Sequence, residues 1–140
     1  MIYLPDTNAF SAYLAGRSPP LTERMRLAFA AGELRLSMIV LAELTFGAEK
    51  IRAKLGDTKF TRRVDALRKQ LEVEPLLESF AKHYAVVRLH LETAGRKIGD
   101  RDTIIAAHAL SMGAVMVTRN VGEFERVPGL KVENWELALA

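Results

Sequence analysis

The chain has 140 residues, of which 49% are hydrophobic and 26% are charged, and its formal net charge is +3. This composition is typical of one globular domain and excludes an intrinsically disordered chain. Charges break every apolar run before it reaches the roughly 20 residues that a membrane span requires. The chain contains no cysteine, which excludes disulfides and thiolate zinc sites, so we expect a location in the reducing cytoplasm.

The first part of the chain is predicted to alternate between short strands and helices. An apolar strand over residues 1–5 leads into a helix over residues 7–15. After a loop, two prolines favour the start of a second helix over residues 19–31. A brief strand over residues 34–36 follows, and a long helix over residues 37–54 is expected to be capped by its first residue, a serine.

The middle of the chain is predicted to be mostly helical. Residues 59–70 have helical periodicity with a basic face, and residues 73–76 form a short strand or its exit. Residues 78–95 form the longest amphipathic helix. A turn over residues 98–101 then leads into a helix over residues 102–112, which begins at an aspartate and ends before a glycine.

Two further strands complete the predicted order of elements. Residues 114–118 have the sequence of a buried strand, and residues 132–133 that of a last edge strand. Strands that alternate with helices favour a parallel sheet with helices on both faces. The predicted fold class is therefore α/β, with a single domain over residues 1–140 and a short parallel sheet.

Three carboxylates lie beside apolar runs, where an ionised acid is costly unless it finds a cation or hydrogen-bond donors. Asp6 ends the first apolar run, Glu43 interrupts the run over residues 38–44, and Asp102 opens the run over residues 102–107. If the three carboxylates meet, they form a site for a hard divalent cation such as Mg²⁺ or Mn²⁺. Such a cation beside a basic surface suggests phosphodiester hydrolysis.

The predicted topology gives a reason for two polar residues to lie together. Ligands of parallel α/β sheets bind beyond the carboxyl ends of the strands. Asp6 follows the first strand directly, and Asn120 follows the buried strand over residues 114–118. We therefore expect both side chains to face the same crevice.

Five segments make the chain resemble a PIN-domain ribonuclease, specifically a toxin of the VapC type from bacterial toxin–antitoxin pairs. They occur in the family's order and cover residues 4–8, 37–44, 102–110, 117–124 and 126–130. The resemblance implies a compact α/β fold and endonucleolytic cleavage of structured RNA such as tRNA or rRNA. It also implies a small antitoxin that blocks the crevice and a toxin homodimer.

The resemblance assigns cation binding and catalysis to Asp6, Glu43 and Asp102, with Mg²⁺ or Mn²⁺ as the cofactor. Two positions depart from the family pattern. Asn120 stands where many PIN domains have a fourth aspartate, although related toxins also carry asparagine there. Pro5 replaces the usual aliphatic residue, which is tolerable at the end of a strand but costly in its middle.

Each of the three acids also has a plainer interpretation. In this interpretation Asp6 and Asp102 are helix N-caps and nothing more, because aspartate is favoured at that position. Glu43 can extend to solvent or meet a basic residue such as Arg35. Asp100 competes with Asp102 for the site, but aspartate is ordinary in a turn.

Other polar residues are expected around the crevice in two roles. Candidates for holding a ligand or lining the pocket are Asn8, Thr118, Asn120 and Glu123. The last of these either replaces the missing fourth acid or is a solvated loop residue. Candidates for contacts with RNA phosphates are the basic residues in neighbouring loops, Arg17, Arg96, Lys97, Arg101 and Arg119. His108 and Trp135 are expected to be packing residues.

Two other functions compete with RNA cleavage. A signalling receiver domain needs an acidic pair after its first strand and a late lysine. Here Asp6 is followed by Thr7 and Asn8, and the last crevice loop offers only Arg119. A non-catalytic PIN-like module that binds RNA or a protein partner is the second alternative, and the retention of all three principal acids argues against it.

Overall fold

The computed structural model describes residues 1–137, and these form an α/β fold with five short strands and seven helices. The strands are β1 (Tyr3–Pro5), β2 (Arg35–Ser37), β3 (Glu72–Glu74), β4 (Val115–Val117) and β5 (Val132–Glu133). The helices are α1 (Thr7–Leu14), α2 (Pro19–Ala30), α3 (Met38–Leu55), α4 (Lys59–Gln70), α5 (Glu78–Thr93), α6 (Asp100–Met112) and α7 (Val121–Phe124). No helix among residues 1–137 has the length and apolar character that a membrane crossing requires.

All the strand pairs are parallel, which confirms the predicted fold class. β4 lies between β1 and β5, while β2 pairs with β3 in a second, two-stranded sheet. A parallel bridge between Tyr3 and Leu34 connects the two sheets. Pro5 lies at the end of β1, opposite Val117, where its missing N–H interrupts no ladder. The carboxyl ends of β1 and β4 therefore lie side by side.

The core consists of apolar side chains from the strands and from the inner faces of the helices. Leu4, Leu36 and Met116 on β1, β2 and β4 are completely buried. Trp135 is also buried, as expected for a packing residue. Its ring meets Tyr3 edge-on at 4.9 Å, and its Nε1–H donates to Glu133 at 2.9 Å. These contacts fix the segment after β5 against the start of β1.

Two details at helix starts differ from the sequence-based expectations. α6 begins at Asp100 rather than at Asp102, and Gly99 is its N-cap. The Gly99 carbonyl accepts hydrogen bonds from the backbone N–H and the hydroxyl of Thr103, which fixes this start. Ser37 precedes α3 but makes no side-chain capping bond, because its hydroxyl contacts another residue. The short helix α7 was not predicted.

The hydroxyl of Ser37 hydrogen-bonds Nδ1 of His108 at 2.8 Å. Both residues are buried, and they join the end of β2, just before α3, to the middle of α6. Burial lowers the pKa of His108, and a hydrogen bond with the Pro75 carbonyl opposes this change. His108 is therefore a hydrogen-bonded packing residue, as expected, and it ties together the two helices that carry Glu43 and Asp102.

Replacing Ser37 with alanine is expected to lower the free energy of unfolding by about 1–3 kcal/mol, because Nδ1 of His108 then loses its partner in the core. Urea denaturation measures this change. Ser79→Ala is the matched control, since Ser79 is exposed, and it should alter stability by less than about 0.5 kcal/mol. Equal stability of the two variants would refute a stabilising role for the Ser37–His108 contact.

Candidate active site

Asp6 lies at the carboxyl end of β1, where its backbone N–H donates to the Val117 carbonyl at 2.9 Å. Its Oδ1 accepts the Ala9 N–H at 2.8 Å and caps α1, so the plainer interpretation describes a real contact. The residue is only 4% exposed. Burial raises the pKa of Asp6, and hydrogen bonds from Thr118 and Ala9 oppose the increase. A buried carboxylate is thus held at the end of the sheet by short-range contacts.

Glu43 projects from α3 towards the N-terminus of α1. Its Oε2 accepts a hydrogen bond from the Thr7 hydroxyl at 2.9 Å. Its Oε1 is buried and has no hydrogen-bond partner among the described residues. The Nε of Arg101 lies 3.5 Å from Oε1. The two groups therefore form an ion pair without a hydrogen bond. The expected alternative partner, Arg35, instead pairs with carboxylates on β3.

Asp102 lies in the first turn of α6, two residues inside the helix start, and is not its N-cap. It is half-buried, and its pKa is raised to about 6. Burial is the main cause, followed by the negative charges of Glu123, Asp6 and Glu43 in that order, while Arg101 acts in the opposite direction. The rise agrees with the repulsion expected of clustered carboxylates.

The structure therefore brings the three predicted acids into one region. A cavity of about 420 Å³ opens beside Glu43 and Asp102 at the start of α6. Within residues 1–137, no three carboxylate or imidazole groups are arranged so that they could hold a metal ion together. Metal ligation by Asp6, Glu43 and Asp102 consequently stays a prediction.

The donor chemistry of the region fits a hard cation. Carboxylate oxygens are the ligands that Mg²⁺ and Mn²⁺ prefer. The buried Oε1 of Glu43 has no hydrogen-bond donor within residues 1–137, and leaving a buried charged oxygen unsatisfied is costly. A divalent cation at this oxygen would remove that cost.

A chain of hydrogen bonds brings a fourth carboxylate to the site. The backbone N–H of Asn120 donates to the Thr118 hydroxyl at 3.0 Å, and its Nδ2 donates to Glu123 at 3.4 Å. The other Glu123 oxygen accepts the Gly99 N–H at 3.4 Å. Glu123 is also the strongest charged influence on the pKa of Asp102. Glu123 is therefore held near Asp102 by contacts with Gly99 and Asn120, while its role as a fourth acid of the site stays a prediction.

One acid near the site was missed by sequence reasoning. Glu136 raises the pKa of Asp6, and its Oε2 lies 3.8 Å from the Nε of Arg119. It follows Trp135, and the packing of that tryptophan places it near β1. No local motif marks Glu136, so only the pairing of β5 with β4 could have revealed it.

The remaining candidates lie at different distances from the acids. Arg101 pairs with Glu43, and Arg119 pairs with Glu136, the acid near Asp6. Arg96 and Lys97 are exposed in the loop between α5 and α6, just before Gly99. Asn8 and Arg17 are exposed too, and neither these two residues nor Arg96 and Lys97 have a described hydrogen bond or ion pair with the acids.

The raised pKa of Asp102 predicts how the metal-free protein depends on pH. With a folded-state pKa of about 6 and an unfolded value near 3.9, the free energy of unfolding falls as pH rises from about 4 to about 6. Asp102→Asn removes this penalty. We expect it to stabilise the protein at pH 7.5 by about 1 kcal/mol, a value reduced for solvent screening, and not at pH 3.5.

Urea denaturation in EDTA at the two pH values measures this effect. Asp100→Asn is the matched control, because it removes another carboxylate from the first turn of α6. It should give no stabilisation at pH 7.5, since that carboxylate complements the helix dipole. An Asp102→Asn variant that is no more stable than the parent protein at pH 7.5 would refute the predicted penalty.

The fold and the motifs agree with known proteins over almost the whole chain. The PIN domain family matches residues 3–130. The chain is 34% identical to ribonuclease VapC2 of Rickettsia felis over 137 residues, which cover 97% of this chain and 99% of the relative. It is also 34% identical to the tRNA(fMet)-specific endonuclease VapC of Salmonella typhimurium over 133 residues, which cover 95% and 97% of the two chains.

Solved structures give the same result. The crystal structure of VapBC2 from Rickettsia felis bound to a DNA fragment from their promoter contains a chain that aligns with a TM-score of 0.88 at 31% identity. The alignment covers 96% of this chain and 99% of the other. In the structure of DNA-bound VapBC from Salmonella typhimurium, the TM-score is 0.86 at 32% identity, with coverage of 96% and 98%. The resemblance inferred from the motifs is confirmed.

Proposed function

Because this chain belongs to the PIN-domain family, we propose that it is an endoribonuclease and the toxin of a VapC-type toxin–antitoxin pair. The ribonuclease relatives support the reaction class, and they align with nearly the full chain. The observation that carries the proposal is the proximity of the three acids: Glu43 and Asp102 line one cavity, and the negative charges of Asp6 and Glu43 both raise the pKa of Asp102. Burial raises the pKa of both Asp6 and Asp102, and raised carboxylate pKa values of this kind are typical of functional sites.

We propose Mg²⁺ or Mn²⁺ as the cofactor, held by Asp6, Glu43 and Asp102. The chemistry supplied by the bound cation is Lewis acidity, which activates water for attack on phosphorus and offsets the charge developing on the phosphate oxygens. Glu123 adds a fourth negative charge close to Asp102. This acid takes the place of the aspartate that many PIN domains have at the position of Asn120.

The neighbouring hydroxyls and the basic residues have distinct tasks. Thr7 donates to Glu43 and Thr118 hydrogen-bonds Asp6, so each fixes the orientation of one acid. Arg101 and Arg119 lie beside the acids and supply positive charge for the RNA backbone. Carboxylates alone would repel a polyanion, so the two arginines make RNA binding compatible with an acidic centre.

We propose structured RNA as the substrate, with tRNA as the first RNA to examine. The relative from Salmonella typhimurium is named a tRNA(fMet)-specific endonuclease, which supports this choice. We also propose a small antitoxin as the partner, because the similar solved chains are parts of VapBC complexes. A toxin homodimer and a cytoplasmic location complete the proposal.

Brief expression in bacteria, followed by sequencing of new RNA 5′ ends, tests the function. We expect growth arrest and cleavage at one or a few sites in tRNA or rRNA. Co-expression of a small protein encoded next to this gene should suppress both effects. Growth arrest without new RNA ends would contradict the nuclease assignment, and it would favour a PIN-like module that binds without cutting.

A further inference from the structure

We propose that Arg101 exchanges ionic partners during the reaction. In the metal-free protein it neutralises Glu43, and when a divalent cation binds it turns to a phosphate of the RNA. This inference rests on the proposed function and adds a property that the proposed function alone does not require. It makes Arg101 a competitor of the cation in the absence of RNA and a substrate-binding residue in its presence.

The position of Arg101 supports the first part of the proposal, that it neutralises Glu43 when no cation is bound. It is the second residue of α6, directly before Asp102, and its Nε lies 3.5 Å from Oε1 of Glu43. That oxygen is buried and has no hydrogen-bond partner among residues 1–137. Arg101 also lowers the pKa of Asp102. Its positive charge therefore stands beside two of the acids that would hold the cation.

The ion pair between Arg101 and Glu43 is weak, which supports the second part of the proposal, that Arg101 turns to an RNA phosphate. The side chain of Arg101 is 70% exposed, whereas that of Glu43 is only 20% exposed. Solvent screens the exposed guanidinium, and a long side chain held in one geometry loses freedom, so Arg101 itself gains little from the pair. The contact at 3.5 Å also satisfies no hydrogen bond at Oε1. Arg101 can therefore leave Glu43 at small cost once a cation takes its place at Oε1.

Cation binding supplies the reason for Arg101 to leave. A divalent cation at Glu43 and Asp102 would lie close to the guanidinium, and the two positive charges repel each other. The cavity beside Glu43 and Asp102 is also lined by Arg101, whose side chain is exposed. A phosphate bound there would meet a planar guanidinium, which can donate two parallel hydrogen bonds to it.

A calorimetric titration with MnCl₂ in the absence of RNA tests the competition. We expect Arg101→Gln to bind Mn²⁺ about 3–10-fold more tightly than the parent protein, because one competing charge is removed. Arg52→Gln is the matched control. It lies nine residues beyond Glu43 on α3, about 14 Å along the axis, and pairs with Glu49. Its Mn²⁺ affinity should equal that of the parent protein.

The direction of the change in Mn²⁺ affinity distinguishes competition with the cation from a purely structural role of Arg101. If Arg101 only holds Glu43 in place, Arg101→Gln will bind Mn²⁺ more weakly, and if it is an idle surface residue the affinity will not change. Either result overturns the proposal while the parent protein still binds Mn²⁺ and cleaves RNA. Failure of the parent protein to bind Mn²⁺ would overturn the proposed function together with this inference.

Steady-state cleavage of tRNA gives the second readout. At saturating MgCl₂ we expect Arg101→Gln to raise KM by about 10-fold or more, with a smaller change in kcat, because a charge-assisted phosphate contact is lost. Arg101→Lys should recover part of the affinity, since it keeps the charge but not the planar fork. An unchanged KM in Arg101→Gln would show that the residue does not bind the substrate.

Discussion

Replacing Asp6 with asparagine is expected to lower RNA cleavage by about 10³-fold or more, a loss of about 4 kcal/mol in transition-state stabilisation. Asp6 is the most deeply buried of the three acids, and asparagine removes its charge with almost no change in shape. Asparagine keeps an oxygen that can accept the Ala9 N–H, and it is as good an N-cap as aspartate. The fold should therefore survive while cation binding is lost.

Initial rates of tRNA cleavage in MgCl₂, together with urea denaturation of both proteins, measure the effect of Asp6→Asn. Asp57→Asn is the matched control, because Asp57 is an exposed aspartate that also accepts a backbone N–H. That variant should cleave RNA at the parental rate. Full activity of a correctly folded Asp6→Asn protein would exclude Asp6 from the catalytic centre.

Replacing Glu43 with glutamine is expected to lower cleavage by about 10²–10³-fold, or about 3–4 kcal/mol. The amide oxygen can still accept the hydrogen bond from Thr7, so the side chain keeps its place on α3. The charge at the buried Oε1 is lost, and with it the attraction for a cation. We also expect Mn²⁺ affinity to fall in calorimetric titrations without RNA.

Glu49→Gln controls for the loss of a carboxylate from the same helix. Glu49 is exposed on α3 and pairs with Arg52. We expect this variant to keep the parental rate of cleavage and the parental Mn²⁺ affinity. If Glu43→Gln bound Mn²⁺ as tightly as Glu49→Gln does, Glu43 would not be a ligand, and its contact with Arg101 would have only a structural role.

Much of the fold could be predicted because its strands and helices have distinct patterns. β4 is buried on both faces and is apolar throughout, as parallel strands usually are. The helix Lys59–Gln70 was predicted with the bounds that the structure has. The division into two sheets could not be predicted, since strands of two or three residues carry too little pattern to specify their neighbours.

The start of α6 shows why local patterns misplace a helix boundary. Gly99 and Asp100 have the composition of a turn, and a turn is what the sequence predicts there. In the structure Gly99 is an N-cap, and two acids in the first turn favour a helix start through its dipole. As a result Asp102 lies within the helix, where the charge of Glu123 raises its pKa, and does not cap α6.

The principal acids could be predicted because each interrupts or borders an apolar run. Their surroundings could not, because those contacts join residues that lie far apart in the sequence. Thr7 donates to Glu43, Arg101 pairs with the same acid, and Glu136 approaches Asp6 only through the pairing of β5. Sequence reasoning left the role of Glu123 open, and its hydrogen bonds with Gly99 and Asn120 resolve its position.

The most direct test of the metal-dependent nuclease is cleavage of a fluorogenic RNA by the purified protein with MgCl₂, with excess EDTA, and with Mg²⁺ restored. Asp6→Asn, purified in the same way, controls for contaminating nuclease. We predict cleavage in Mg²⁺, its loss in EDTA, its recovery when Mg²⁺ is restored, and no cleavage by the variant. RNA cleavage that persists in EDTA, or that Asp6→Asn retains, would contradict a cation centre built from Asp6, Glu43 and Asp102.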